Sequence, residues 1–428
     1  MIEPLPFQRD AVAHHVRLLR ERGASAEASV AGFGKTFVAS FAAKELGAPM
    51  VVLCPKVVIP HWIRAAQAVG APMRCVSNYE QYKLGHTGTG EWAIKNRRWA
   101  WKLPKPSLLV FDEAHLCKTR TSQNAKLLIA AKRQGIPTLV MSATLAVDPM
   151  DLYATGYLLG LHTGEHFDWQ AFQARYGVIR NGFGFAFDPR HDPTALRRLN
   201  SELFPSRGHR KTYGEIPGFP DATTDVREVH GDPVKLAAME AAWARTGELE
   251  QLRDEAINAA VERLRARQLA ELAKVPAIIE LAQTLLDDGL SVPIFLNFHD
   301  SIDEVSKALH APRIDGRVPD AVRQQSIDAF QRDDARCIVL QTGAGGVGIS
   351  LHDTRGKHPR HSLISPPENA RDLIQTLGRN RRVGQKTPAF RSVITLANSI
   401  EWRVKNAVER KATQIETIND GDLDPILR

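Results

Sequence analysis

The run VAGFGKT at positions 30–36 leaves few folds open to this chain. Small residues precede it and a helical pattern over 37–46 follows, so it reads as the turn from a strand into a helix. Gly32 and Gly34, on either side of Phe33, let the backbone curl until its N–H groups face phosphate oxygens. Lys35 adds a point charge for the β- and γ-phosphates. The Thr36 hydroxyl suits a Mg²⁺ ligand. The strict phosphate-loop spacing has glycine where this chain has Ser29. A strand, a glycine loop and a helix in succession belong to an α/β fold with a parallel sheet.

The rest of the chain repeats that alternation. Residues 51–54 (VVLC), 108–111 (LLVF) and 138–141 (TLVM) read as buried parallel strands, with a helix over 122–132 between the last two. Residues 292–298, 337–340, 362–364 and 391–396 read as strands of a second set, with helices over 301–309 and 322–330. With 428 residues, two domains of ordinary size are expected. Between the two sets, residues 214–225 (GEIPGFPDATTD) have linker composition. Residues 233–274 predict one long amphipathic helix or a helical pair, with Leu249, Leu252, Ala256, Ala260 and Leu264 on the apolar face. Its Arg253, Arg263, Arg265 and Arg267 read as a solvated face before a nucleic-acid face. The expected division is an N-terminal lobe over 1–225, a helical insertion over 226–280 and a C-terminal lobe over 281–428.

Composition narrows the class. No run of 18 apolar residues is present, which argues against a membrane span, and the N-terminal stretch lacks a signal-peptide core. Four cysteines without a C-x-x-C pair suggest neither a zinc knuckle nor a disulfide framework, which fits a reducing cytoplasm. The formal net charge of +8 mildly favours a polyanionic partner.

Residues 108–115 (LLVFDEAH) end an apolar strand on two carboxylates, at the sheet edge where ligands bind in open α/β folds. Asp112 is placed to hold Mg²⁺ through water. Glu113 is placed to orient and deprotonate an attacking water. Ser142, Ala143 and Thr144 close the next strand. In 375–385 (QTLGRNRRVGQ), Arg379 and Arg382 lie three apart, which on a helix gives them one face. Two guanidiniums so placed suit charge developing on a γ-phosphoryl group; Arg381 reads as a basic outer face. Residues 341–351 (QTGAGGVGISL) form a tight glycine turn that allows close approach to a phosphate backbone, with Thr342, Gly345 and Gly346 as candidate contacts. No acid stands where a dinucleotide signature needs one. Trp92, Trp99 and Trp101, interleaved with Lys95, Arg97, Arg98 and Lys102, read as packing residues first and base-stacking residues second.

These motifs, in this order, resemble the superfamily 2 helicase motors, and finer matches point to the Swi/Snf-type DNA translocases in a compact phage or bacterial form. LPFQ (5–8) resembles the adenine-reading element, which implies that role for Gln8. CPKVVIPHW (54–62) resembles the family's DNA-contact motif, which implies Pro55, Lys56 and Trp62 as contacts. DEAHLCK (112–118), DPMDL (148–152), 208–220, RIDGR (313–317), 323–330 and QTGAGGVGISL match further landmarks. QTLGRNRRVGQ resembles the arginine-finger motif, with Gln375, Arg379 and Arg382, and 400–411 resembles the helix after it. The resemblance implies two tandem RecA-like lobes, ATP and Mg²⁺ between them, and double-stranded or branched DNA across their surface. Ser-Ala-Thr at 142–144 and Ala114 depart from the branch's usual forms, and no reader domain fits. Those departures argue against chromatin remodelling and leave a strand-separating relative open.

The expected function is a DNA-dependent ATPase that walks along duplex DNA and remodels branched or protein-bound DNA, in a bacterial or host cytoplasm. The rivals are a strand-separating DNA or RNA helicase, the motor of a restriction-type system, and a regulator with a dead nucleotide pocket. Intact Lys35, Asp112, Glu113, Arg379 and Arg382 argue against the last.

Overall fold

The computed structural model describes residues 2–93, 98–181, 184–188, 190–251, 255–342 and 349–401, with positions 406, 414, 417 and 418 beyond. The chain forms two compact units. One is Met1–Phe219 with Thr413–Asp422; the other is Pro220–Ala412 with Leu423–Arg428.

The first unit is built on strands β1 (Ala24–Glu27), β2 (Met50–Cys54), β3 (Met73–Asn78), β4 (Leu108–Asp112), β5 (Thr138–Met141) and β6 (Gly208–His209). Among the described residues they form one sheet in the order β6-β1-β5-β4-β2-β3, with every pair parallel. Alternate side chains feed opposite faces, as the strand period requires. Val51, Leu53, Leu109, Phe111 and Val140 enter one core, and Val52, Leu108, Val110, Leu139 and Met141 the other. Because the sheet is parallel, the strand ends that carry Glu27, Cys54, Asp112, Met141 and His209 all lie at one edge. Helices α1 (Pro6–Arg22), α2 (Lys35–Leu46), α3 (Ile59–Val69) and α4 (Gln123–Arg133) flank it. Ser122 caps α4, accepting the Ala125 N–H at 3.1 Å.

The second unit has β7 (Ala222–Val229), β8 (Val292–Leu296), β9 (Arg313–Ile314), β10 (Cys337–Gln341), β11 (Arg360–Ile364) and β12 (Ala389–Leu396). Their order is β7-β12-β11-β8-β10-β9, again parallel throughout among the described residues. β7 begins inside the stretch of linker composition and pairs along its whole length with β12, so the expected boundary at 225 falls within a strand. The glycine-poor segment is a helical pair, α5 (Pro233–Glu250) and α6 (Ala256–Asp287). Its buried face differs from the expected one. Ala259, Ala266, Ala270 and Ala273 are buried, whereas Ala256 and Ala260 are exposed and Leu264 is 46% exposed. Leu252 and Arg253 lie outside the described residues. Of the arginines, Arg263 pairs with Glu250, Arg265 with Glu262 and Arg267 with Glu368, as on a solvated face. Farther along, Val275, Ile278 and Ala282 pack on Ile294, Val339, Leu363 and Ile394. There Lys274 is fully buried and donates to Glu401 (2.7 and 2.9 Å), Ser365 Oγ (3.0 Å) and the Ile394 carbonyl (2.9 Å). Among the described residues no helix is long and apolar enough to cross a membrane.

Candidate active site

The loop from β1 to α2 has the conformation its glycines permit. Gly32 and Gly34 have φ of 84° and 88°, a left-handed region costly to residues with a Cβ. A Cβ on Gly34 would also come within 2.5 Å of Gln8 Nε2. Gln8 is buried on α1, where it accepts the Leu5 N–H at 3.1 Å and donates to the Phe33 carbonyl at 2.9 Å. The expected adenine-reading residue is thus fastened to the phosphate loop itself. Lys35, the first residue of α2, lays its ammonium on the carbonyls of Ser29 (2.7 Å) and Val30 (3.0 Å). Thr36 follows it, partly exposed.

β4 delivers the two carboxylates to the same sheet edge. Asp112 Oδ1 accepts the Glu113 N–H at 3.0 Å, and Oδ2 accepts the Trp62 indole N–H at 2.9 Å. The Tyr79 hydroxyl donates to the Asp112 carbonyl at 2.8 Å. Burial, and next the Glu113 carboxylate, push the Asp112 carboxyl up to about 7, against the Trp62 bond and the Lys35 charge. Each oxygen of Asp112 accepts one hydrogen bond and retains a lone pair. These carboxylate oxygens and the Thr36 hydroxyl are hard oxygen donors of the kind Mg²⁺ takes. Glu113 stands in the left-handed region, φ 52° and ψ 50°. Its carboxylate is 3.2 Å from His115 Nδ1, which is 3.1 Å from Ser142 Oγ. The carboxylate strand and the Ser-Ala-Thr turn are therefore in direct contact.

Trp62, expected to face nucleic acid, is fully buried beside Asp112 and has no surface to offer one. Lys56 is exposed and Pro55 half-buried at the end of β2. Trp99 and Trp101 are buried, and Trp92 is half-buried with its indole on the Lys83 carbonyl at 2.6 Å. The three rings pack edge to face, Trp92 on Trp99 and Trp99 on Trp101. They serve packing, not base stacking. Their neighbourhood does carry a basic cavity of about 390 Å³, lined by Arg98, Arg120, Lys126 and Arg133. No carboxylate lines it among the described residues, and Arg120 stacks on Tyr153 at 4.6 Å.

In the second unit, Gln375 is partly exposed on α7 (Ala370–Leu377). Arg379 and Arg382 are not on that helix, which stops at Leu377 and is followed by the turn at Gly378. They converge nevertheless: Arg379 Nη1 (3.2 Å) and Arg382 Nη2 (3.3 Å) both donate to the Ile349 carbonyl. Arg381 donates to the Pro220 carbonyl at 3.0 Å. Thr342 is buried with its hydroxyl on the Leu296 carbonyl at 3.1 Å. Gly345 and Gly346 lie outside the described residues.

Sequence comparison agrees with this arrangement. Residues 273–384 match the family described as Helicase conserved C-terminal domain. A protein of Acanthamoeba polyphaga mimivirus, named a "putative ATP-dependent RNA helicase", is 30% identical over 455 residues, spanning 98% of this chain and 84% of that protein. The chain belongs to the ATP-dependent helicases. As a member of this family it is an ATP-hydrolysing enzyme, and each of its two units carries a six-stranded parallel sheet among the described residues. The chromatin remodeling factor mit1 of Schizosaccharomyces pombe is 27% identical over 164 residues, 35% of this chain and 11% of that protein. The chain thus spans a small part of that larger relative. A solved Sulfolobus solfataricus SWI2/SNF2 ATPase core in complex with dsDNA is 16% identical, with a TM-score of 0.40, covering 98% of this chain and 94% of that one.

Sequence reasoning missed Tyr79 and the donor role of Trp62. It also passed over Glu27, His15 and His209, although an acid at the end of the short run before a glycine loop is a usable signal.

Proposed function

We propose that this helicase-type ATPase translocates on double-stranded DNA and remodels branched or protein-bound DNA, using Mg²⁺-ATP. The carrying observation is the phosphate loop and the Asp112–Glu113 pair at one edge of a parallel sheet, with Glu113 joined through His115 to Ser142. Gln8, Gly32, Phe33, Gly34, Lys35 and Thr36 bind the nucleotide. Thr36 and Asp112 hold the cation, which supplies charge neutralisation at the phosphates. Glu113 takes a proton from the attacking water. Arg379 and Arg382 are the arginine-finger candidates for charge on the γ-phosphoryl group, and Gln375 belongs to the same motif. Lys56, Pro55 and the basic cavity meet nucleic acid, and the absence of carboxylates from the cavity lining among the described residues favours phosphate contact over base reading. A cytoplasmic setting, bacterial or host, belongs to the same reading.

A second reading, a strand-separating RNA helicase, is favoured by the name of the mimiviral relative. ATP turnover titrated with duplex DNA, single-stranded DNA and RNA tests the two. Stimulation mainly by duplex DNA, with triplex displacement and no strand separation on forked duplexes, supports translocation. Stimulation mainly by RNA, with strand separation, refutes it.

A further inference from the structure

Beneath the phosphate loop lies a cluster that the catalytic reading leaves unused. β1 ends on Glu27, whose side chain is fully buried. Its Oε2 faces His15 Nε2 at 2.8 Å and His209 Nδ1 at 3.1 Å. Its Oε1 accepts the Ser29 backbone N–H at 2.7 Å. An ionised carboxylate only accepts, so the two facing ring nitrogens carry the protons. The other nitrogen of His15 is 2.8 Å from Ser25 Oγ, which holds that ring in place. Burial alone would raise the Glu27 carboxyl; the bonds from His15 and His209 outweigh it and hold the group well below the ordinary carboxylate range.

All this converges on Ser29, which stands where the strict loop pattern has glycine. Its N–H goes to Glu27, its hydroxyl accepts the Lys211 N–H at 2.9 Å, and its carbonyl accepts from Lys35 at 2.7 Å. The neighbouring backbone is tied to the same segment, Ala28 N–H to the His209 carbonyl (2.9 Å) and Val30 N–H to the Lys211 carbonyl (3.1 Å). α1 therefore holds both ends of the loop, Phe33 through Gln8 and Ser29 through His15 and Glu27. A loop that binds anions must direct its later N–H groups outward. Drawing the first peptide inward onto a carboxylate orients those that follow. The same carboxylate would repel a nucleotide unless its charge were shared, and the two imidazole donors share it.

We propose that Glu27 is a positioning residue for nucleotide binding, which with His15 and His209 as its donors fixes the backbone at Ser29 and sets the phosphate loop. This rests on reading residues 29–36 as that loop. The test uses the full chain and compares Glu27→Gln, His209→Asn, His209→Leu and Lys35→Ala with the parent. ATP turnover gives KM and kcat, thermal unfolding without nucleotide and nucleic-acid affinity report the fold, and elemental analysis reports bound metal. A hydrogen bond to a charged group is worth enough for Glu27→Gln to raise KM about 10- to 100-fold. Its kcat should hold, because the loop grips ground and transition states alike. His209→Leu should raise KM in the same direction, whereas His209→Asn, which keeps an N–H donor, should restore most of it. If Glu27→Gln does not fold, the His209 pair decides.

An unchanged KM in a folded Glu27→Gln overturns the proposal, as does a fall in kcat at constant KM. Equal behaviour of His209→Asn and His209→Leu also overturns it. So does one metal ion per chain that Glu27→Gln loses, since the cluster would then be a metal site. Unchanged nucleotide binding in Lys35→Ala would remove the loop reading itself; loss there with a normal Glu27→Gln removes only the role of Glu27.

Discussion

Trp62→Phe keeps an aromatic ring in the core and deletes one donor, the indole N–H that Asp112 Oδ2 accepts at 2.9 Å. A hydrogen bond to a charged group is worth about 1.5–3 kcal/mol, and the full burial of Trp62 leaves little water on its side to replace it. One pKa unit corresponds to about 1.4 kcal/mol, so the loss raises the Asp112 carboxyl by about 1–2 units above its present value of about 7. The ionised share at pH 7 therefore falls. The sign follows from the charge: ionised Asp112 is the form that serves the cation, so the acid limb of the pH–rate curve moves to higher pH. More Mg²⁺ is needed at pH 7, and the deficit shrinks toward pH 10. The smaller ring also leaves a void, so melting temperature falls in parallel. The assay is ATP turnover from pH 6 to 10 at saturating nucleic acid, beside nucleic-acid affinity by fluorescence anisotropy. A pH–rate curve that stays in place while nucleic-acid affinity drops would refute the reasoning, and return Trp62 to the contact role that its motif suggests.

Glu113→Gln should bind ATP normally and turn over about 10²- to 10⁴-fold more slowly; turnover near the parent's rate excludes Glu113 as the base. Arg379→Ala and Arg382→Ala should each lose about 10³- to 10⁵-fold in hydrolysis. ATP and DNA affinities should hold, and the reverse pattern makes this loop a nucleic-acid face. Lys274→Met leaves Glu401 buried without its cation and should cost about 3–5 kcal/mol, read as a lower urea midpoint; an unmoved midpoint contradicts it. Arg120→Gln with Arg133→Gln should flatten the slope of log affinity against log salt by about 1.8 on duplex DNA, and an unaltered slope removes the cavity from the nucleic-acid path.

Much of the fold is legible because buried parallel strands are short, apolar and β-branched. Residues 108–111 and 138–141 announce themselves in this way. β1 does not: Ala-Ser-Ala-Glu carries no β-branched or aromatic residue, and its burial comes from the strands on either side. β7 is equally hidden, since its Thr-Thr-Asp run becomes a strand only by pairing with β12. On α6 the apolar spacing marked the wrong face, because small alanines fill the close packing and larger residues stay outside. In the site, loop and carboxylates are readable because their chemistry needs fixed residue types at fixed spacing. The Trp62–Asp112 bond joins positions 50 residues apart, and no local pattern encodes it. Arg379 and Arg382 converge on a shared carbonyl and not through a helix face, which their spacing of three cannot show.

The left-handed backbone at Glu113 sets stability against turnover at a single residue. A side chain held at φ 52° costs about 1–3 kcal/mol, which glycine would avoid and asparagine would lessen. Variants selected only for resistance to heat should therefore accumulate glycine or asparagine at position 113, and with it lose the proposed base. A lineage that must hydrolyse ATP keeps the strained glutamate and needs compensating stability elsewhere in the sheet. Heat-selected libraries of this enzyme should yield well-folded chains that still bind nucleotide and have stopped consuming it.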